Sequence, residues 1–227
     1  MGAFQPALAG KLKDHRAALA FAEAVLRVHR RYATEVVMAF RLCPFLNDVE
    51  SGLGRFCVVM ERAFDLEQTF EVAQFHTSSV IHIVFPRLRM GPRDFERASA
   101  TLRDTLKTRM DQPPVSAVFH PELSGGNESP HRLVGLVRRA PDPFVQFVPD
   151  GLQTGGTVFT AGTISASGPN HATARFLELQ GARLTSLCDI LADIRADRDR
   201  SYAPFLAELD AAEDDANSAR AAKSGIT

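Results

Sequence analysis

Val80-Ile81-His82-Ile83-Val84-Phe85-Pro86 opens the stretch whose reading decides the fold. Apart from His82 the run is apolar until Pro86 stops it, the pattern of a short strand buried on both faces. Gly91-Pro92 then starts a helix, with Pro in its first turn, and Phe95, Ala98, Leu102, Leu106 and Met110 recur along one stripe of it. Gln112-Pro113-Pro114 ends that helix, and Val115-Ser116-Ala117-Val118-Phe119 reads as the next strand. Strand, helix, strand is the unit of a sheet with helices packed on it.

The same grammar extends both ways. Residues 1–14 read as a loose lead-in, followed by an amphipathic helix from Arg16 to Phe40 that Pro44 closes. Phe56-Cys57-Val58-Val59-Met60 is another buried strand, and Leu66 to Phe75 another helix. Downstream come a turn-rich stretch from His120 to Ser129, a short helix from Pro130 to Arg139 and a strand from Phe144 to Val148. Residues 151–170 read as an inserted Gly/Thr/Ser-rich arm, with a small hairpin around Thr157-Val158-Phe159-Thr160. A last helix from His171 to Arg195 should bury Phe176, Leu177 and Leu187, with Cys188 on the same stripe. The expected class is α/β or α+β: about four strands with alternating helices, ferredoxin-like in flavour, plus a C-terminal helix. The expected division is one globular domain over residues 1–200 and an extension over 201–227, disordered after Asp210 because hydrophobicity vanishes there.

With 227 residues, 45% of them hydrophobic, the chain can close one substantial core. Its 26 Lys and Arg nearly cancel 27 Asp and Glu, so no overall charge recommends nucleic acid or a membrane surface as partner. Three cysteines cannot all pair and make no disulfide scaffold. Glu23 interrupts the most apolar N-terminal stretch, and Pro6 stands where a myristoylation signal needs Ser or Thr. The expectation is a soluble, cytoplasmic protein with a small-molecule partner, with homo-oligomerisation left open.

Three places carry residue types that packing alone does not require. Leu42-Cys43-Pro44-Phe45 sets a thiol at a helix boundary, where it can become a thiolate or an axial ligand of haem iron. His120 and Glu122 fall on one side of an extended segment, and with His131 they could form a facial metal set. Ser129-Pro130 is a capped helix start whose amides, with Asn127 and Arg132 nearby, suit a carboxylate or phosphate. Gly155-Gly156 lies in a segment with neither the Lys of a phosphate-binding loop nor its strand–Gly–helix order. Of the other histidines, His29 and His82 read as buried core residues that a cofactor could recruit, and Cys57 as core filler.

Taken together, Phe40-Arg41-Leu42-Cys43-Pro44-Phe45, Phe119-His120-Pro121 and Asn127-Glu128-Ser129-Pro130 resemble the Leu-Cys-Pro-Phe, Phe-His-Pro and Asn-x-Ser-Pro motifs of an uncharacterised bacterial family, domain of unknown function 1415. The similarity extends over residues 32–192 and reaches Arg138. It departs at Glu128, His131-Arg132 and Gly135, where the family has Arg, Tyr-Pro and His. The resemblance implies that Cys43, His120, Asn127 and Arg138 share one site, and it implies no particular reaction.

The leading functional expectation is an enzyme acting on a small anionic metabolite at the carboxyl edge of the sheet. Cys43 and His120 would be its catalytic pair, and Asn127, Ser129, Arg132 and Arg138 would bind substrate. The alternatives are a haem or non-haem iron protein, with Cys43, His120 or another histidine as ligand, and a non-catalytic partner-binding module.

Overall fold

The computed structural model describes residues 6–43, 46, 49, 53–74, 80–149 and 169–224. Five strands, β1 (Ala7–Ala9), β2 (Arg55–Val59), β3 (Ile81–Val84), β4 (Val115–Phe119) and β5 (Phe144–Val148), form one sheet in the order β1-β2-β3-β5-β4. β1, β2 and β3 are parallel, whereas β5 runs antiparallel to both β3 and β4. The helices are α1 (Ala18–Tyr32), α2 (Leu66–Gln74), α3 (Pro92–Arg109), α4 (Pro130–Val137), α5 (Pro169–Glu178) and α6 (Gly181–Ser224). A π-helical segment, Ala33–Met38, continues α1.

Strand alternation assigns each side chain to a face. Phe56, Val58, Val84 and Phe144 face Phe21, Val25 and Val28 of α1, behind which lie Leu187, Ile194 and Tyr202 of α6. Cys57, Val59, Ile81, Ile83, Val145 and Phe147 face Phe70 of α2 and Phe95, Leu102 and Leu106 of α3. With both faces covered, the central strands can be apolar throughout, which is why they read as unbroken runs. Gly54 enters β2 at φ +79°, and a Cβ there would lie 2.5 Å from the Val80 carbonyl oxygen, so glycine alone fits this entry.

The α/β class and the C-terminal helix are as expected, and four observations revise the detail. A fifth strand, β1, lies in the stretch read as a lead-in, and its three residues pair, among the described residues, only with β2. The parallel β1-β2-β3 run is not the ferredoxin-like arrangement. The last helix breaks at Gly181 (φ +54°) and then continues to Ser224, so the expected disorder after Asp210 gives way to helix. Cys188 and Leu177 are exposed rather than buried. Pro44 and most of the 151–170 arm lie outside the described residues.

Asp142, fully buried between Pro141 and Pro143, joins three elements. Its Oδ2 accepts from His29 Nε2 on α1 (3.0 Å) and from the Tyr202 hydroxyl on α6 (2.7 Å); its Oδ1 accepts from Arg198 Nε (2.9 Å). Arg198 also donates to the Pro86 carbonyl, at 3.0 Å. Burial alone would raise the pKa of Asp142. The His29 bond, the charge of Arg198 and the Tyr202 bond outweigh it and hold the carboxyl below its ordinary range. Asp142→Asn should destabilise the fold by about 3 kcal/mol, because Arg198 loses its buried counter-charge. Urea unfolding at pH 7 measures this; a loss under about 0.5 kcal/mol, the scale of a neutral surface change, contradicts it.

Candidate ligand-binding cavity

On the α1 face of the sheet, a cavity of about 370 Å³ lies beneath the end of α1 and its π-helical continuation. That volume suits a small organic molecule. Its floor is β5 and β4, through Phe144, Gln146, Val148, Phe119 and Ala117, together with the entries of β2 and β3. Its roof includes Tyr32, Ala33, Val37, Leu42 and Cys43, and Val137 and Arg138 close one side. The walls are mostly aromatic and aliphatic. Phe119 stacks on Phe144 at 4.2 Å and Phe56 on His82 at 4.6 Å, giving two flat surfaces.

The roof is built from irregular backbone. In the π-helical segment, the Ala39 amide reaches back to the Thr34 carbonyl and the Leu42 amide to that of Val37, each five residues away. Arg41 follows in the left-handed region at φ +52°, where a residue other than glycine is uncommon. Such irregularities gather where a chain must aim a side chain. Here they lead the backbone directly into Leu42 and half-buried Cys43 at the cavity wall.

Arg138 supplies the cavity's positive charge. It caps the C-terminus of α4, with its guanidinium 5.7 Å from the centre of the Phe119 ring. Burial lowers its pKa, against the raising influence of Tyr32 and Glu96. Among the described residues no carboxylate pairs with it. Tyr32 donates its hydroxyl to the Val137 carbonyl at 2.7 Å, tying α1 to the end of α4.

Two histidines line the same space. His29 has Nε2 held by Asp142, which leaves Nδ1 as its second nitrogen. His82 donates Nε2–H to the Leu53 carbonyl at 2.8 Å. Burial pushes the His82 pKa down to about 3, with help from the neighbouring His29 and against the Leu53 bond, so this ring is neutral at pH 7.

Of the residues expected to share one site, the structure brings Cys43 and Arg138 to this cavity and leaves His120 outside it. Phe119 faces the cavity; His120, the next residue, packs instead against Phe95 of α3 (ring centres 5.8 Å apart). Its Nε2 donates to the Met90 carbonyl at 3.0 Å, and its Nδ1 accepts from the Glu122 amide at 3.1 Å, so both ring nitrogens brace the loop. The expected Cys43–His120 pairing is therefore not formed: alternation after Phe119 turns His120 to the α3 face, whereas Cys43 lies over the α1 face.

Asn127 and Arg132 are exposed. Ser129 caps α4 as its sequence suggests, with Oγ accepting from the Arg132 amide at 3.3 Å. Arg132 itself lies 3.5 Å from Glu128. The loop before α4 is sealed onto it by two glycines: a Cβ on Gly135 would lie 2.0 Å from the Ser124 carbonyl oxygen, and one on Gly125 would lie 2.1 Å from the Leu136 nitrogen. The facial set of His120, Glu122 and His131 is not assembled; Glu122 faces Arg195 at 3.6 Å and His131 is exposed. Among the described residues, no three His, Cys, Asp or Glu side chains gather to hold a metal ion. For the haem reading, His29, His82 and His120 all have Nε2 committed to protein acceptors.

In the sequence, His29 and His82 read as core residues that a cofactor could recruit, and nothing local marks Tyr32 or Gln146. Tyr32 and His29 lie three residues apart on one helix face, the only linear signal that they act together.

The depressed His82 pKa carries a sign. In the unfolded chain this imidazole takes a proton below about pH 6.5, but in the native protein only near pH 3. Its contribution to stability is therefore complete above pH 6.5 and is lost as pH falls towards 3. Replacing His82 with Phe should make the stability lost between pH 7 and pH 4.5 smaller by about 2 kcal/mol, read from denaturant unfolding at both pH values. Equal losses in the two proteins would count against a buried neutral ring.

In comparisons with known proteins, the chain matches no family model, no curated protein and no solved structure.

Proposed function

We propose that the protein is an enzyme that takes a small organic anion with a flat apolar body into this cavity. The observation that carries the reading is the half-buried Arg138 guanidinium, without an ion-pair partner among the described residues, on the wall of an otherwise apolar space. A desolvated cation is costly until an anion joins it, and a guanidinium fork matches a carboxylate or phosphate. The stacked Phe119–Phe144 and Phe56–His82 pairs would hold the planar part of such a ligand.

In this reading Cys43 supplies the nucleophile. Its thiol gives up a proton to His29 as the sulfur adds to a carbonyl carbon of the bound anion; the C=O π pair moves onto the oxygen, which takes the proton back from His29 to give a thiohemiacetal-type adduct. Asp142 holds His29 through Nε2, so the proton would go to Nδ1, its other nitrogen. His120, expected as the base, has no free nitrogen, so His29 takes over that role. The resemblance to the bacterial family groups Cys43 with Arg138, and both line this cavity.

Thermal-shift screening of aromatic and aliphatic carboxylates and phosphates should find ligands that stabilise the protein. Arg138→Gln should weaken them by about 2 kcal/mol, some thirtyfold in Kd. Undiminished binding in that variant would overturn the assignment of the anion site.

For the thiol, a Cys188→Ser background removes the exposed cysteine. Burial pushes Cys57 up to about 12, so it stays unreactive. Iodoacetamide should then label Cys43 alone, more slowly with ligand bound, as followed by mass spectrometry. Cys43→Ala should keep ligand binding and abolish turnover. If turnover survives both alkylation and Cys43→Ala, the protein binds its anion without thiol chemistry.

A further inference from the structure

A second concentration of charge lies at the carboxyl ends of the parallel strands, away from the cavity. Arg62 follows β2, and Arg87 and Arg89 follow β3. All three meet one acidic turn of α6. Arg87 Nη2 lies 2.7 Å from Asp210 and 2.8 Å from Glu213; Arg89 reaches Asp210 at 2.8 Å. Arg62 Nε lies 3.0 Å from Glu213, and its Nη2 contacts Asp214.

The arrangement is layered. The Arg87 side chain is 1% exposed, it also donates to the Met60 carbonyl, and its buried Nε has no hydrogen-bond partner among the described residues. Above it, Asp210 is 31% and Asp214 66% exposed. Leu209 is the last buried side chain of α6 among the described residues, so from Asp210 onward these ion pairs are what hold the helix to the body.

A helix joined through apolar contacts does not need a buried arginine beneath it. In an open α/β sheet, the carboxyl ends of parallel strands are where ligands gather, and guanidinium groups from two successive loops suit a group with several anionic oxygens. We propose that Arg62, Arg87 and Arg89 form a binding site for a small molecule carrying a di- or polyphosphate, and that the Asp210–Asp214 turn occupies this site as an intramolecular substitute. The phosphate ligand and the end of α6 compete for the same guanidinium groups. Binding therefore releases the helix from Asp210 onward and leaves its apolar part seated on α1.

Inorganic pyrophosphate is the probe, used on the full chain with ionic strength matched by chloride. Hydrogen exchange over residues 210–218 should speed up at least fivefold on adding pyrophosphate, with exchange in α1 unchanged. The full-length D210N/E213Q/D214N protein should bind pyrophosphate at least tenfold more tightly than the parent by calorimetry. Adding Arg62→Gln and Arg89→Gln should remove that gain. The proposal is overturned if the neutralised protein, folded by circular dichroism, binds no more tightly than the parent, or if the arginine changes leave its affinity intact. Should neutralisation prevent folding, the parent decides: exchange over 210–218 that responds equally to pyrophosphate and chloride means simple screening of a structural seam.

Discussion

The buried carboxylate of Asp142 is the constraint on which the rest of the architecture turns. Prolines on both sides fix its backbone, and the residues that follow begin β5. Three donors from two helices converge on its oxygens, so the position of α1 over the sheet and that of α6 over α1 are set by one group. An ionised carboxylate in a dry interior is tolerable only with such a full set of partners. Because His29 is one of them, the same constraint also fixes which nitrogen of a cavity-lining ring is committed.

Sheet alternation then partitions the chemistry. Phe119 and His120 are adjacent in the chain, yet one floors the cavity and the other packs under α3. Phe56 and Cys57 divide in the same way, which leaves Cys57 an inert thiol in the α2–α3 core while Cys43 stands at the cavity. Motifs that lie close in sequence thus serve different layers, and a site here draws on residues from distant segments.

That geometry explains what was legible in the linear sequence. Continuous apolar runs and proline punctuation exposed β2 to β5 and the first four helices because both signals are local. β1 escaped notice because Ala7-Leu8-Ala9 is a three-residue strand at the sheet edge, paired with β2. The end of α6 lacked apolar residues and looked unstructured, because carboxylates pairing with Arg62, Arg87 and Arg89 leave no periodicity. Cys43 stood out through a short motif, and Arg138 only through the family resemblance. The His29–Asp142 contact spans 113 residues, and no local pattern encodes it.

Several other arginines of the chain are matched to carboxylates or carbonyls. Arg27 and Arg31 meet Asp197 across the α1–α6 seam, at 2.8 and 2.7 Å. Arg198 meets Asp142, Arg87 meets two carboxylates, and Arg139 donates to the Leu123 and Gly125 carbonyls. Against that pattern, Arg138 has no carboxylate within ion-pair reach among the described residues; it faces the Phe119 ring and the cavity, with Glu96 acting on it only at longer range. An aromatic face compensates a desolvated guanidinium by about 2 kcal/mol, without the directed hydrogen bonds that an anion with good geometry supplies. A fold that needed Arg138 for stability alone could have given it a carboxylate, as it did for Arg27, Arg31, Arg87 and Arg198. On the proposed reading, that position is kept for an anion small enough for the 370 Å³ cavity.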